Sequence, residues 1–202
     1  SVTRTHTWSE TIEKDLLKIC AEEIFGAEPH SYDGYVASGG TEANIEALWI
    51  YRNFYLKEHQ AKMSEIAVVY STDTHYSIPK ALDLLRIKGI ELAVDQTSRQ
   101  ILIKDFEQKI EAALAKGVKY FIININMSTT MFGSVDDIDS ITSFLNLLHI
   151  NYKLHIDGAY GGFIFPFTNT NNSLNFKNKN ITSFSIDGHK MLQAPYGTGI
   201  FL

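Results

Sequence analysis

The 202-residue chain reads as an α/β protein: three layers, with a mostly parallel sheet covered by helices on both faces. Three observations predict this. Short, largely apolar and β-branched segments such as IAVVY (66–70) and KYFIININ (119–126) carry apolar residues on both faces, so both of their sides need cover. Stretches of helical periodicity separate these segments, giving a strand–helix alternation. Short polar or glycine-bearing turns follow the strand-like runs, which is where ligands collect in parallel sheets.

The first helix is expected from Ser9, a suitable N-cap, to Gly26, a suitable stop. Ile12, Leu16, Ile19, Cys20 and Ile24 recur along it at helical spacing. YDGYVASGG (32–40) is a short strand running into glycines. Thr41 then opens a second helix, with Ile45, Leu48, Trp49, Arg52 and Leu56 toward one side. After the strand at 66–70 come a turn holding His75 and a helix with Pro79 near its start, where a missing N–H is tolerated. IELAVD (90–95) is a strand, and Asp105 is the expected cap of the helix within 101–117. The strand at 119–126 is central, and the helix within 134–150 takes Asp136 as its cap. The strand YKLHID (152–157) delivers Asp157. The Asn-rich run 168–180 is a surface loop or mobile segment, and ITSFSID (181–187) is a strand with Lys190 just past its end. The closing GIFL is strand-like. A buried strand is a poor place for a domain to stop, so a truncated piece with a bare apolar end is expected.

Composition narrows the function classes. With 45% hydrophobic and 20% charged residues the chain is ordinary for a soluble globular protein. A net charge of −5 offers no basic field for nucleic acid or an anionic membrane. No apolar run approaches the roughly 20 residues that span a bilayer. Cys20 is the sole cysteine, which rules out an intrachain disulfide and fits a reducing, cytoplasmic setting. The seven histidines lack zinc-ligand spacing, so no metal is expected.

The polar segments 38–41, 72–75, 126–130, 157–159 and 185–190 all follow predicted strands and should converge on one edge. Two of their residues form a chemically suggestive pair. Asp157 closes an apolar strand, and Lys190 follows in a glycine-flanked turn. Pyridoxal phosphate (PLP) chemistry needs both: an amine to bind the cofactor covalently and a carboxylate to keep the pyridine nitrogen protonated. Singly, each has a plainer reading, as a strand-end carboxylate or a solvated lysine. ASGGTEAN (37–44) is a glycine turn opening a helix, suited to a phosphate or simply a tight turn capped by Thr41. G-x-G-x-x-G, the P-loop GK[ST] and G-x-S-x-G signatures are absent. His75 could stack on a flat ring and bind a carboxylate, or be a structural histidine. Thr129 and Thr130 could bond a cofactor or shape a turn. Ala159 is small enough for a ring to lie against, and Ser185 and His189 could contact a phosphate beside Lys190.

SGGTEAN (38–44), THYSIPKA (74–81), NMSTTMFGSVDDID (126–139), HIDGAYGGF (155–163) and SFSIDGHKMLQAPYGTGIF (183–201) resemble, in order and spacing, the group II PLP-dependent amino-acid decarboxylases of fold type I. The resemblance runs from about residue 10 to the end. It implies that residues 1–202 are the PLP-binding large-domain core, with the family's N-terminal segment and C-terminal small domain absent. It also implies a homodimer with the site at the interface, an amino-acid substrate, and loss of CO₂ to leave the amine. By matching position, Lys190 would bind PLP covalently, Asp157 would pair with the ring nitrogen, His75 would stack on the ring and Ala159 would pack opposite. Gly40, Thr41 and His189 would hold the phosphate with Ser185 in support, and Thr130 would neighbour the ring. The alternatives are another fold-type-I PLP enzyme (a carbon–carbon lyase or an aminotransferase) and a non-catalytic fragment or paralogue.

Overall fold

The computed structural model describes residues 7–202. Its centre is a seven-stranded sheet in the order β1-β7-β6-β5-β4-β2-β3. The strands are β1 (Tyr35–Ala37), β2 (Ile66–Ser71), β3 (Lys88–Leu92), β4 (Tyr120–Asn126), β5 (Asn151–Gly158), β6 (Ser183–Asp187) and β7 (Gly199–Phe201). Neighbours from β3 through β6 are parallel, and β7 runs antiparallel to both β1 and β6. β1, β2, β4, β5 and β6 therefore end at one edge, as their polar sequels predict.

Helices α1 (Thr7–Lys18), α4 (Ile103–Ala115) and α5 (Ile138–Leu147) cover one face, packing Leu17, Phe106, Ile110, Ile141 and Leu145 against Phe121, Ile123 and Ile156. Helices α2 (Gly40–Glu58) and α3 (Ser77–Leu85) cover the other, where Leu48, Tyr55 and Ile78 meet Val68, Ile122 and Phe201. A short α6 (Phe165–Thr168) follows β5. The three-layer expectation holds because β4 and β2 present apolar residues alternately to both faces.

Several local expectations are corrected. α1 begins before Ser9 and winds more loosely over Ile19–Ile24, with Phe25 N–H donating to Cys20 O five residues back. Gly26 does end it, at φ +65. Ile12 and Ile19 face outward, while Leu17, Cys20, Ala21 and Phe25 are buried. β3 lies two residues early, at Lys88–Leu92, leaving Val94 in an isolated bridge with Ile101. Asp105 sits in the first turn of α4 rather than at its cap, accepting from Ala93 N and Lys109 Nζ. The cap of α5 is Asp137, which accepts from Ser140 N; Asp136 is buried and binds Asn126. The Asn-rich loop is anchored by Leu174, at 2% exposure, and by its own side-chain-to-backbone turns.

The largest correction concerns GIFL. It is not a bare end: Ile200, Phe201 and Leu202 are buried, because β7 inserts between β1 and β6. A Cβ on Gly199 would come within 2.5 Å of Gly39 Cα, so two glycines let this strand press against the turn before α2.

Candidate active site

The strand ends open onto two adjoining cavities. One, of about 400 Å³, lies over the amino end of α2, with Gly40, Thr41, Ala159, Asp187 and His189 in its walls. The other, of about 310 Å³, lies between the turns after β2 and β4, with Asn126, Thr130, Phe132 and Asp157 in its walls. His75, Tyr76, Ala159 and Lys190 line both cavities and stand where they meet.

β5 delivers Asp157 as its side chains alternate: His155 and Asp157 share the α2-facing side, and only the latter reaches the strand's end. Its carboxylate accepts from Asn44 Nδ2 at 2.8 Å on one oxygen and from Ala159 N at 3.1 Å on the other. Lys190 Nζ lies 3.2 Å from Asp187 Oδ2, and His189 Nε2 lies 3.6 Å from the same oxygen. Asp187 Oδ1 and His189 Nδ1 are buried without a hydrogen-bond partner. Buried polar atoms are nearly always paired, so two orphans in one wall mark room for a polar guest.

Gly40 has a steric reason. A Cβ there would lie 2.8 Å from Ala159 Cβ and 3.1 Å from Asp187 Oδ2. The first amides of α2 have no partner within the helix, and its dipole adds positive potential. Glu42 secures this turn by accepting from Ser38 N at 2.9 Å and Ser38 Oγ at 2.6 Å.

His75 is half-buried. Burial pushes its pKa below the ordinary histidine value; the Asp157 charge opposes that shift and the Lys190 charge adds to it. Ser77 N–H donates to Nδ1 at 3.2 Å, so the neutral ring carries its proton on Nε2, as a free donor.

The placement of the expected residues is uneven. Gly40, Thr41, His75, Asp157, Ala159, His189 and Lys190 come together at the two cavities, and Thr130 lies on the exposed rim of the smaller one. Thr129 closes its own turn through Ser134 Oγ at 2.8 Å. Ser185 does not reach the cavity. It is fully buried mid-strand, one alternation short of the edge, with Oγ 2.6 Å from Asn44 Oδ1. Asn44, Asp187 and Asn126 were not read from the sequence. Asn44 lies among the small residues Ala43 and Ala47 on the buried side of α2, whereas the bulky Trp49 faces outward at 45% exposure.

A family model described as the pyridoxal-dependent decarboxylase conserved domain matches residues 12–202. The chain belongs to this family. It is 49% identical over 191 residues to the tryptophan decarboxylase of Clostridium sporogenes, covering 95% of this chain and 46% of that protein. It is 34% identical over 181 residues to the histidine decarboxylase of Solanum lycopersicum, covering 88% of this chain and 41% of that protein. The chain thus spans about half the length of the curated relatives it matches. Its fold is shared with the glutamate decarboxylase domain of a Vibrio parahaemolyticus protein, at TM-score 0.83 and 21% identity over all of this chain and 45% of that one. It is also shared with a Burkholderia pseudomallei sphingosine-1-phosphate lyase, at TM-score 0.76 and 18% identity over 95% and 43%.

The family's cofactor is PLP, and the residues present fit it. An amine and a carboxylate face one space, a glycine-lined helix start suits a phosphate, and an orphaned imidazole nitrogen lies beside it. Among the described residues no helix is long and apolar enough to cross a membrane.

Beneath the site, burial pushes the His155 pKa to about 4 from 6.5, with Asp157 opposing the shift. A depressed folded-state value means that the unfolded chain binds the proton first, so stability is lost as pH falls from about 6.5 toward 4. At 1.36 kcal/mol per unit the loss is roughly 3 kcal/mol. Asp136, raised to about 6 by burial, works in the opposite direction over part of this window. The expected result is therefore a difference. His155→Gln, which cannot titrate there, should flatten the stability slope measured by urea unfolding at pH 7 and pH 5 relative to the unaltered protein.

Proposed function

We propose that the protein containing this chain decarboxylates an L-amino acid to the corresponding amine and CO₂, using PLP, with residues 1–202 as the cofactor-holding core of its large domain. The observation that carries this reading is the convergence of Lys190, Asp157 and a neutral His75 on one space, in a chain of this family. When bound, PLP supplies an electron sink for the charge left at Cα as CO₂ departs.

Lys190 would hold the cofactor through its amine and, once displaced and protonated, would donate the proton that takes the place of CO₂ at Cα. Asp157 accepts the ring N–H, and its charge favours the protonated ring. Ala159 presents only a methyl group to one ring face. His75 covers the other and aims Nε2–H at the substrate carboxylate. Gly40, Thr41 and His189 take the phosphate, Thr130 supplies a polar contact at the rim, and Ser185 acts from below through Asn44.

We also place the protein in the cytoplasm, as a homodimer with the site at the interface. The exposed Trp8, Ile12 and Ile19 on and just after α1, and Met131 and Phe132 beside the cavity, support an apolar contact. Tryptophan is the first substrate to test, because the Clostridium sporogenes relative bears that name. The full-length protein with PLP should release CO₂ and amine in equal amounts from L-tryptophan or, failing that, L-histidine, at a rate on the order of 1–10³ per second. A keto acid product, or bound PLP with no turnover of any amino acid, would overturn the proposal.

A further inference from the structure

Beneath the two cavities lies a hydrogen-bond network whose hub is Asn44, buried at 1% exposure in the second turn of α2. Its Oδ1 accepts from His155 Nε2 at 2.9 Å and from Ser185 Oγ at 2.6 Å. Its Nδ2 donates to Asp157 Oδ2 at 2.8 Å and to Ser77 Oγ at 2.9 Å. A primary amide offers two N–H groups and two lone pairs, and here all four are used. Ser77 Oγ lies in turn 2.9 Å from His75 Nδ1.

We propose that Asn44 is a positioning residue that ties the Asp157 carboxylate to the His75 imidazole, with His155 fixing the direction in which its amide points. The proposal rests on the reading that Asp157 and His75 hold a PLP ring from its nitrogen edge and one face.

The network has one polarity. Tyr51 OH donates to Ser183 Oγ at 2.5 Å, and Ser183 Oγ lies 2.6 Å from His155 Nδ1. Burial keeps the Tyr51 phenol protonated, with its pKa pushed up to about 12, and keeps His155 neutral. A neutral His155 facing the Asn44 carbonyl must carry its proton on Nε2, which makes Nδ1 the acceptor from Ser183. Hydrogen bonds therefore run Tyr51, Ser183, His155, Asn44 and then to Asp157. A second branch runs from Asn44 through Ser77 to His75.

The side-chain type follows from this polarity. Aspartate at position 44 would set a carboxylate oxygen against Asp157 Oδ2 at hydrogen-bond distance. Leucine would fill the volume but take a hydrogen bond from four buried polar groups. It would leave His155 Nε2 and Asp157 Oδ2 without a partner, while Ser77 Oγ keeps His75 Nδ1 and Ser185 Oγ keeps only a 3.5 Å contact with Asp157 Oδ1. Such a network costs stability wherever it is half satisfied, which makes its completeness under a binding site informative.

The test uses the full-length holoenzyme and three readouts: the Kd for PLP, the pH midpoint of the visible absorption band of bound PLP, and the Tm of the apoprotein. Asn44→Leu and Asn44→Asp should each weaken PLP at least about tenfold, equivalent to 1.4 kcal/mol. Each should also move the band's midpoint by about half a pH unit or more, because the carboxylate and imidazole facing the ring are no longer held. His155→Gln, whose Nε2 can still donate to Asn44, should stay within about twofold in Kd, whereas His155→Leu should shift the midpoint in the same direction as Asn44→Leu. An unchanged Kd and midpoint in the Asn44 variants, whatever their Tm, would overturn the proposal and leave Asn44 as a fold residue. If the Asn44 variants do not fold, equal effects of His155→Gln and His155→Leu would overturn it instead. The underlying PLP reading fails separately: it falls if Lys190→Ala keeps the absorption band, and stands if that band is lost while Asn44 proves dispensable.

Discussion

Lys190→Ala in the full-length protein should abolish the visible absorption band of the bound cofactor and lower decarboxylation by something on the order of 10³–10⁶-fold, the range seen when an enzyme loses its covalent catalyst. The geometry separates this effect from unfolding. Lys190 lies in the turn after β6, its side chain is 29% exposed, and among the described residues its ammonium has one carboxylate partner, Asp187 Oδ2 at 3.2 Å. Asp187 is only 3% exposed and would keep His189 Nε2 at 3.6 Å as its remaining neighbour. Losing the ammonium therefore costs more than an exposed pair would, on the order of 3 kcal/mol, still less than a typical folding free energy. Far-UV circular dichroism should thus stay native-like, with a lowered Tm, while the band disappears. Borohydride treatment of the unaltered holoenzyme should fix the cofactor on the peptide carrying Lys190, read by mass spectrometry. A band that survives in Lys190→Ala, or a label on any other lysine, would remove Lys190 from the mechanism.

The fold was legible where the signals are local. β4 announces itself as Tyr120–Asn126, because Phe121, Ile122, Ile123 and Ile125 put apolar side chains on both faces, which therefore both need cover. The ends of β5 and β6 were legible for the same reason, and with them Asp157 and Lys190. What was not legible depends on pairing between remote segments. GIFL reads as a strand, but nothing near it says that it slots antiparallel between β1 and β6, so it looked like an uncovered end.

The buried side of α2 was misread in an instructive way. Of the side expected to be buried, Leu48 is in the core and Ile45 and Leu56 pack against it, but Trp49 is exposed, and Ala43, Asn44, Ala47 and Tyr51 are buried there instead. The sheet below carries His155 and Ser183 at that place, and small residues let the helix approach closely enough to bond them. Asn44 and His155 are 111 positions apart, and only the folded chain shows that they are partners. Ser185 could have been placed better. Alternation from Asp187 puts it on the site's side of β6 but one step below the edge.

Asp157→Asn is the second large effect, and the surrounding donors determine its form. Asp157 has two acceptor oxygens, one taking Asn44 Nδ2 at 2.8 Å and the other Ala159 N at 3.1 Å. An asparagine has one oxygen to offer, so whichever donor it satisfies, its amide group faces the other donor. Two buried N–H groups in opposition cost roughly 1–3 kcal/mol, and the fold should tolerate that with a lowered Tm. The chemical loss is larger. The substituted group carries no charge, and a ring nitrogen that had been held protonated loses the partner that kept it so. Removing a preorganised electrostatic contact of this kind costs on the order of 10²–10³-fold in kcat. We therefore expect PLP still to attach at Lys190, with a weaker Kd, while kcat for CO₂ release falls by at least that factor and KM changes far less. Asp157→Glu tests position against charge. It keeps the carboxylate but pushes it one methylene further into the cavity, off the donors supplied by Asn44 and Ala159, and it should recover only part of the lost rate. Near-normal turnover in Asp157→Asn would reduce Asp157 to a strand-end residue that closes the turn through Ala159 N.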